Sequence, residues 1–218
     1  MVWKIVRFLV GLLLLPACWG ITAALVAFIS AHGLLGWSSL SFLGGVVLFV
    51  ICWLTLPRLA RTYVLGHELT HALWGLLFGA RPSKLKVRRN GGSVNLTKSN
   101  LLITLAPYFF PFYTFLVILA AGIVRCCVSP LPCVPLWLFF IGFTWAFHVL
   151  FTVDSLSLSQ PDVKEYGCVF AWPFIYIANL FFIFLGVSVA AAAEPADSFS
   201  LLGEHLLRAY SQCLHLVI

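Results

Sequence analysis

The stretch Leu65-Gly66-His67-Glu68-Leu69-Thr70-His71-Ala72-Leu73-Trp74 places two histidines and a carboxylate in a segment that otherwise has the composition of a membrane helix. A helix has about 3.6 residues per turn, so His67 and His71 project from one face and can share a metal ion. In a His-Glu-x-x-His arrangement the imidazoles bind Zn²⁺, and the carboxylate moves a proton from the activated water to the leaving amine. The stretch therefore predicts a zinc-dependent hydrolase in which Glu68 is the acid–base group.

The composition of the whole chain predicts a membrane protein. Of the 218 residues 62% are hydrophobic and only 9% are charged, whereas about a quarter of the residues of soluble domains are charged. An acid inside a membrane segment is costly, which favours a functional role for Glu68 over a core cluster satisfied by hydrogen bonds. The net charge of +6 is not a nucleic-acid signal, because Lys and Arg in membrane proteins mark cytoplasmic loops and contact anionic lipid.

The apolar runs predict an all-α polytopic membrane protein with five to six transmembrane helices. The first run is long enough to span the bilayer, and we interpret it as a retained helix rather than a signal peptide. We expect a single membrane domain over residues 1–218, with two N-terminal helices in 1–60, a core in 61–193 and an amphipathic C-terminal tail in 194–218. The predicted spans cover residues 1–30, 41–56, 62–78, 101–124, 136–153 and 168–193.

The segment after Gly79 is the most basic part of the chain and contains a turn signal. Residues 84–89 and 93–97 flank Asn90-Gly91-Gly92, which predicts a short β-hairpin directly after the metal-site helix. Its positive charge favours a cytoplasmic location. Two interpretations stay open: a solvated basic loop that contacts lipid phosphates, and a strand edge that accepts an extended peptide beside the metal.

Two prolines interrupt the apolar run over residues 101–124. Pro107 and Pro111 each remove a helical hydrogen bond and leave a carbonyl without its usual partner. Such breaks are tolerated at membrane depth where protein or a wet cavity satisfies the exposed backbone. We predict a kinked or broken helix here.

The two histidines need a third protein ligand from elsewhere in the chain. A catalytic zinc usually has three protein ligands and one water. Three of the seven acids fall in the polar stretch from residue 154 to residue 167, which we expect on the same side of the membrane as the hairpin. The candidate third ligands are Asp154, Asp162, Glu165 and His148.

Together these features resemble the site-2 protease family of intramembrane zinc metalloproteases, in particular its small core-only bacterial members. The resemblance rests on His67-Glu68-Leu69-Thr70-His71 at a membrane helix, on the basic hairpin after it and on an aspartate that enters a later span. It implies one Zn²⁺ bound by His67, His71 and Asp162, with Glu68 as the catalytic acid–base group. It also implies a location in a bacterial inner membrane with the active site toward the cytoplasm. Asp154 is the reserve for the third ligand.

The resemblance also sets the expected partners and the alternatives. We expect a membrane-protein or peptide substrate, the lipid bilayer and a regulatory membrane partner that directs substrate choice, and we expect no nucleic acid. No feature of the sequence defines an oligomeric state. The alternatives are a catalytically inactive membrane scaffold of the same fold and a metal or proton transporter, because ionisable residues within membranes also mark transport paths.

Overall fold

Helices make up most of the chain, as the composition predicts. The computed structural model describes residues 2–32, 37–88, 91–158, 160–191 and 193–217. The helices are α1 (Val2–His32), α2 (Trp37–Thr55), α3 (Ala60–Leu77), α4 (Leu101–Phe109), α5 (Phe112–Cys127), α6 (Val134–Ser157), α7 (Pro161–Tyr166), α8 (Cys168–Ala190) and α9 (Pro195–Val217). The strands β1 (Pro82–Arg88) and β2 (Gly91–Leu96) lie between α3 and α4.

Three helices in the described part of the chain are long and apolar enough to cross a membrane. These are α1, α6 and the greater part of α8. The pair formed by α4 and α5 would add a fourth span if it crosses as one unit, although its two helices are bent by 77°. The prediction of a helical membrane protein is therefore supported. The further spans over residues 41–56 and 62–78 stay a prediction, since the apolar helix Ser39–Thr55 is shorter.

The elements form two compact units, of which the first combines Met1–Leu34 with Pro161–Ile218. In this unit α1 packs along α8 and α9, and α7 precedes α8. The amphipathic tail over residues 194–218 stays a prediction: its helix α9 buries Leu202 and Ala209 and leaves Leu207 and Leu214 exposed. The core of the unit consists of Ile21, Ala24, Phe28, Phe184 and Leu202.

The second unit, Leu35–Gln160, contains α2 to α6 and the two strands. The most extensive packing in this unit is between α2 and α6. Glycines allow the two helices to approach closely, because Gly45 lies against Phe139 and Gly142 lies against Phe42. The helix α3 packs on α4 and on both strands, and α5 packs on α6. The aromatic core consists of Phe49, Ala146, Phe147 and Phe151.

The predicted hairpin and the predicted helix break are both confirmed. The strands pair antiparallel from Pro82 opposite Leu96 to Arg88 opposite Gly91, with an irregularity between Ser83 and Lys86. Residues 89 and 90 of the predicted turn lie outside the described residues. The proline-rich run breaks after Phe109, and the chain resumes helical structure at Phe112. The hairpin therefore follows the histidine helix directly and packs on it.

The polar stretch after residue 153 contains more helix than the sequence analysis predicts. The helix α6 extends through Asp154 to Ser157, and α7 forms a separate short helix. The start of α7 follows common rules, because Pro161 is its first residue and Asp162 lies in its first turn. The three acids of the stretch therefore belong to two helices, Asp154 to α6 and Asp162 and Glu165 to α7.

Candidate metal centre

The helix α3 arranges its polar residues in rows four residues apart. Tyr63, His67 and His71 form one row, and Val64 and Glu68 form the neighbouring row. The rings of the first row contact in sequence, with centroids 5.8 Å apart for Tyr63 and His67 and 4.8 Å apart for His67 and His71. One face of α3 thus presents both imidazoles, and a second face presents the carboxylate.

Both imidazoles direct their Nε2 atoms toward the same point. His71 Nε2 lies 3.2 Å from His67 Nε2. Two nitrogens bound to one tetrahedral Zn²⁺ at about 2.05 Å would lie about 3.3 Å apart. The spacing that the sequence predicts from helix geometry therefore also fits a shared metal ion in atomic detail.

The remaining nitrogen of His71 is held by a backbone carbonyl. His71 Nδ1 lies 2.8 Å from the carbonyl oxygen of Ile103, in the first turn of α4. A carbonyl only accepts hydrogen bonds, so Nδ1 carries the hydrogen and the neutral ring keeps its lone pair on Nε2. Such a bond to the second nitrogen fixes both the tautomer and the direction of a metal-binding imidazole.

The Ile103 carbonyl accepts this bond because Pro107 lies four residues later. In a helix this carbonyl would accept from the amide of residue 107, and proline has no N–H. The amide of Ile103 is also engaged by a side chain, since it donates to Asn100 Oδ1 at 2.9 Å. Pro107 is recognisable in the sequence as a residue that leaves a carbonyl without its usual donor, but the sequence does not show that His71 replaces that donor.

His67 is enclosed by aromatic rings. Its Nδ1 lies 3.5 Å from the Tyr63 hydroxyl, and the Tyr63 ring stacks on Phe151 with an interplanar angle of 9°. The ring of Tyr108, which is fully buried, contacts His67 edge-on at a centroid distance of 5.3 Å. These contacts restrict the rotation of the imidazole.

The candidate third ligands lie on different elements. Asp162 is in the first turn of α7, in the first unit, whereas His67 and His71 belong to the second unit. The reserve candidate Asp154 is engaged elsewhere, because both of its carboxylate oxygens accept from Arg58 Nη1, at 2.8 and 2.9 Å. Glu165 is exposed on α7.

Glu68 is buried against the hairpin. Its side chain is only 7% exposed. A Cβ atom added to Gly92 of β2 would lie 2.7 Å from Glu68 Cγ and from Val64 Cγ1, and 2.9 Å from Glu68 Oε1. Strand β2 therefore runs directly over the carboxylate, at a distance that only a residue without a side chain allows.

A cavity opens beside His67 at the bend between α4 and α5. It has a volume of about 20 Å³ and is open to the surroundings. His148, one of the candidate third ligands, is 7% exposed and lines this cavity. The aromatic residues of the wall are Tyr63, Phe110, Phe112, Tyr113 and Phe147. His67 therefore faces a mostly aromatic wall that also contains the imidazole of His148.

Fold and site together define a helical, membrane-associated protein with a candidate metal centre. Comparison with known proteins adds no identification, because no family model, no curated protein and no solved structure matches the chain. The function is therefore argued from the geometry of this site.

Replacing Pro107 tests the role of the Ile103 carbonyl. In Pro107→Ala the new amide competes with His71 for this carbonyl, so we expect the affinity for Zn²⁺ to fall about tenfold, as for other partners of metal ligands. The measurement is a competition titration with a chromophoric zinc chelator. Pro16→Ala, which removes a proline inside α1, is the matched control and should bind Zn²⁺ as wild type. Wild-type affinity in Pro107→Ala would show that the carbonyl does not orient His71.

Proposed function

We propose that this chain is an intramembrane zinc metalloprotease of the site-2 protease type. The observation that carries the proposal is the pair of Nε2 atoms 3.2 Å apart, with His71 Nδ1 held by a carbonyl. Two histidines on one helix can bind the same metal ion when their free nitrogens are directed to one point and a hydrogen bond to the other nitrogen fixes the ring. A glutamate next to the first histidine adds the group that hydrolysis needs.

We assign Asp162 as the third ligand. It is the acid that the resemblance to the site-2 protease family implies, and its carboxylate is a suitable oxygen ligand for Zn²⁺. Two neutral imidazoles and one carboxylate leave a fourth position for water, which is the ligand set of a catalytic rather than a structural zinc site. A Zn²⁺ ion at this place would supply Lewis acidity that activates water and polarises the peptide carbonyl.

Glu68 performs the proton transfers in this proposal. Its carboxylate takes a proton from the water whose oxygen attacks the peptide carbon, and it delivers that proton to the amine nitrogen when the carbon–nitrogen bond breaks. The burial of Glu68 suits this role, since it keeps bulk water away from the groups that exchange the proton.

The hairpin and the cavity suggest how a substrate is held. A transmembrane helix shields its amides with internal hydrogen bonds, so a segment must become extended before it is cleaved. A strand beside Glu68 is suited to bind an extended segment through its backbone. The cavity beside His67 has a volume of only about 20 Å³, so it has room for about one water molecule beside the substrate backbone.

The membrane setting follows from charge and composition. Lys84, Lys86 and Arg88 are exposed on β1, and positive charge in a short loop favours the cytoplasmic side. We propose a bacterial inner membrane, an active site toward the cytoplasm and five to six spans, by the resemblance to the site-2 protease family. A membrane-embedded protein or peptide is the substrate class, with a regulatory membrane partner directing its choice.

Glu68→Gln tests the proposal. Removing a general base lowers kcat by about 10²- to 10⁴-fold, whereas zinc content should stay near one ion per chain. The assay is cleavage of a membrane-embedded model substrate in liposomes, beside elemental analysis of the protein. Glu204→Gln, which changes an exposed acid of α9, is the control and should cleave as wild type.

The same assay separates the rival functions. Wild-type protein that moves Zn²⁺ or protons across the liposome membrane and cleaves nothing would be a transporter. Wild-type protein that does neither would be a scaffold. Either result overturns the proteolytic proposal.

Gly92→Ala tests the role of the hairpin. The added methyl group meets Glu68 Cγ at 2.7 Å, so the strand or the carboxylate must shift. Because a misplacement of about 1 Å can cost up to about 10²-fold in rate, we expect kcat/KM to fall about 10- to 100-fold with unchanged zinc affinity. In the control Gly122→Ala, the added atom meets nothing within 4 Å. Equal activity of the two variants would contradict the placement of the substrate at this strand.

A further inference from the structure

The hairpin carries cations on the face that is directed away from α3. Residues paired across two strands lie on the same face of the sheet. A Cβ atom at Gly92 would point at Glu68, and Gly92 is paired with Val87, so both positions belong to the inner face. Side chains alternate along a strand, which places Lys86 and Arg88 on the outer face. Both are exposed. The outer face of the hairpin is therefore positively charged.

The same structural unit offers no acid to neutralise this face. Its sequence, residues 35–160, contains two acids, Glu68 and Asp154. Glu68 is buried beneath the inner face, and Asp154 accepts from Arg58. Lys84, at the irregularity of β1, adds a further exposed cation. Among the described residues of this unit, the cations of β1 therefore have no carboxylate that balances their charge.

Large apolar side chains are exposed directly before the hairpin. Leu76, Leu77 and Phe78 at the end of α3 are all exposed, Leu77 to 71%. Leu85 of β1 is exposed as well. A surface that combines cations with exposed apolar side chains is suited to the bilayer interface, where lipid phosphates lie beside the acyl chains. These apolar neighbours favour an anionic lipid over a soluble anion as the source of negative charge.

We propose that the outer face of the hairpin binds the phosphates of anionic lipids and that this contact holds β2 in place over Glu68. Lys86 and Arg88 flank Val87, the partner of Gly92. A lipid bound to the outer face therefore acts close to the contact between Gly92 and Glu68. A hairpin of two strands is marginally stable by itself in water, so an added contact affects its position.

The proposal has two parts. The binding of anionic lipid stands on the hairpin alone. The regulatory part, in which cleavage depends on anionic lipid, rests on the proposed function of Glu68. The two parts are tested by separate measurements on the full chain.

Hydrogen–deuterium exchange of the hairpin tests the binding. The protein is placed in nanodiscs of phosphatidylcholine alone or of equal parts phosphatidylcholine and phosphatidylglycerol, and amide exchange over residues 82–96 is measured by mass spectrometry. We expect slower exchange with phosphatidylglycerol. The variant Lys84→Gln/Lys86→Gln/Arg88→Gln should lose this difference. The matched control Lys84→Arg/Lys86→Arg/Arg88→Lys keeps the charge and should retain it.

The affinity for phosphatidylglycerol gives the size of the effect. Each cation near an anionic surface contributes about fivefold, so the glutamine variant should bind this lipid about 100-fold more weakly than wild type in a titration followed by native mass spectrometry. Equal affinity, or equal exchange in the two kinds of nanodisc, overturns the inference. Protection that inorganic phosphate reproduces in phosphatidylcholine also overturns it, since it would indicate an anion site without a lipid.

A measurement on wild type alone covers the case in which the glutamine variant does not fold. Raising the salt from about 0.1 M to about 1 M shortens the screening length from about 10 Å to about 3 Å. The exchange difference between the two kinds of nanodisc should then disappear. A difference that persists would show that charge does not hold the hairpin on the lipid.

Cleavage of the membrane-embedded model substrate in liposomes of the same two compositions tests the regulatory part. Because a small misplacement can cost up to about 10²-fold in rate, we expect kcat/KM of wild type to be about tenfold higher with phosphatidylglycerol. Lipid-dependent exchange with equal cleavage in both mixtures overturns the regulatory part. Wild-type protein that shows lipid-dependent exchange and cleaves in neither mixture overturns the proteolytic function, and the lipid binding stands.

Discussion

The hydrogen bond from His71 Nδ1 to the Ile103 carbonyl is the interaction on which the candidate metal centre depends. It fixes the tautomer of His71 and turns Nε2 toward His67. The bond exists because Pro107 has no amide hydrogen to offer that carbonyl. The carbonyl lies in a helix whose residues from Ile103 to Phe109 are all buried, where an unpaired polar group would be costly and a paired one is strong. The carbonyl left free by Pro107 therefore gains a hydrogen-bond donor, and the same hydrogen bond fixes the orientation of His71.

Some of the few charged groups of this apolar chain are tied to specific contacts. Arg58 pairs with Asp154 and lies over the Trp53 ring at 4.6 Å. Glu68 is covered by β2, which approaches closely because Gly92 has no side chain. In a protein that is 9% charged, such pairing limits the free energy lost when charges leave water. It also leaves the polar groups of the site in defined positions, as preorganised catalysis requires.

Local sequence signals predicted the elements next to the site, and they failed where stability comes from the rest of the fold. The turn residues before Ser93 and the prolines at 107 and 111 impose backbone restrictions within a few residues, so the hairpin and the helix break could be read directly. The helix α7 could not be predicted in this way. Its six residues are stabilised by the contact with Arg7 and by the burial of Val163 rather than by helix propensity. The same applies to Asp154, whose pairing with Arg58 joins residues that are distant in sequence.

The sequence alone determined that the chain is helical and apolar and that His67 and His71 share one face, since composition and helix periodicity are local properties. Only the tertiary structure decided which nitrogen each imidazole presents, which carbonyl holds His71, and that Asp154 is committed to an arginine. These outcomes depend on contacts between elements far apart in the chain. Their energies come from burial and hydrogen bonding in the folded state, which no spacing rule encodes.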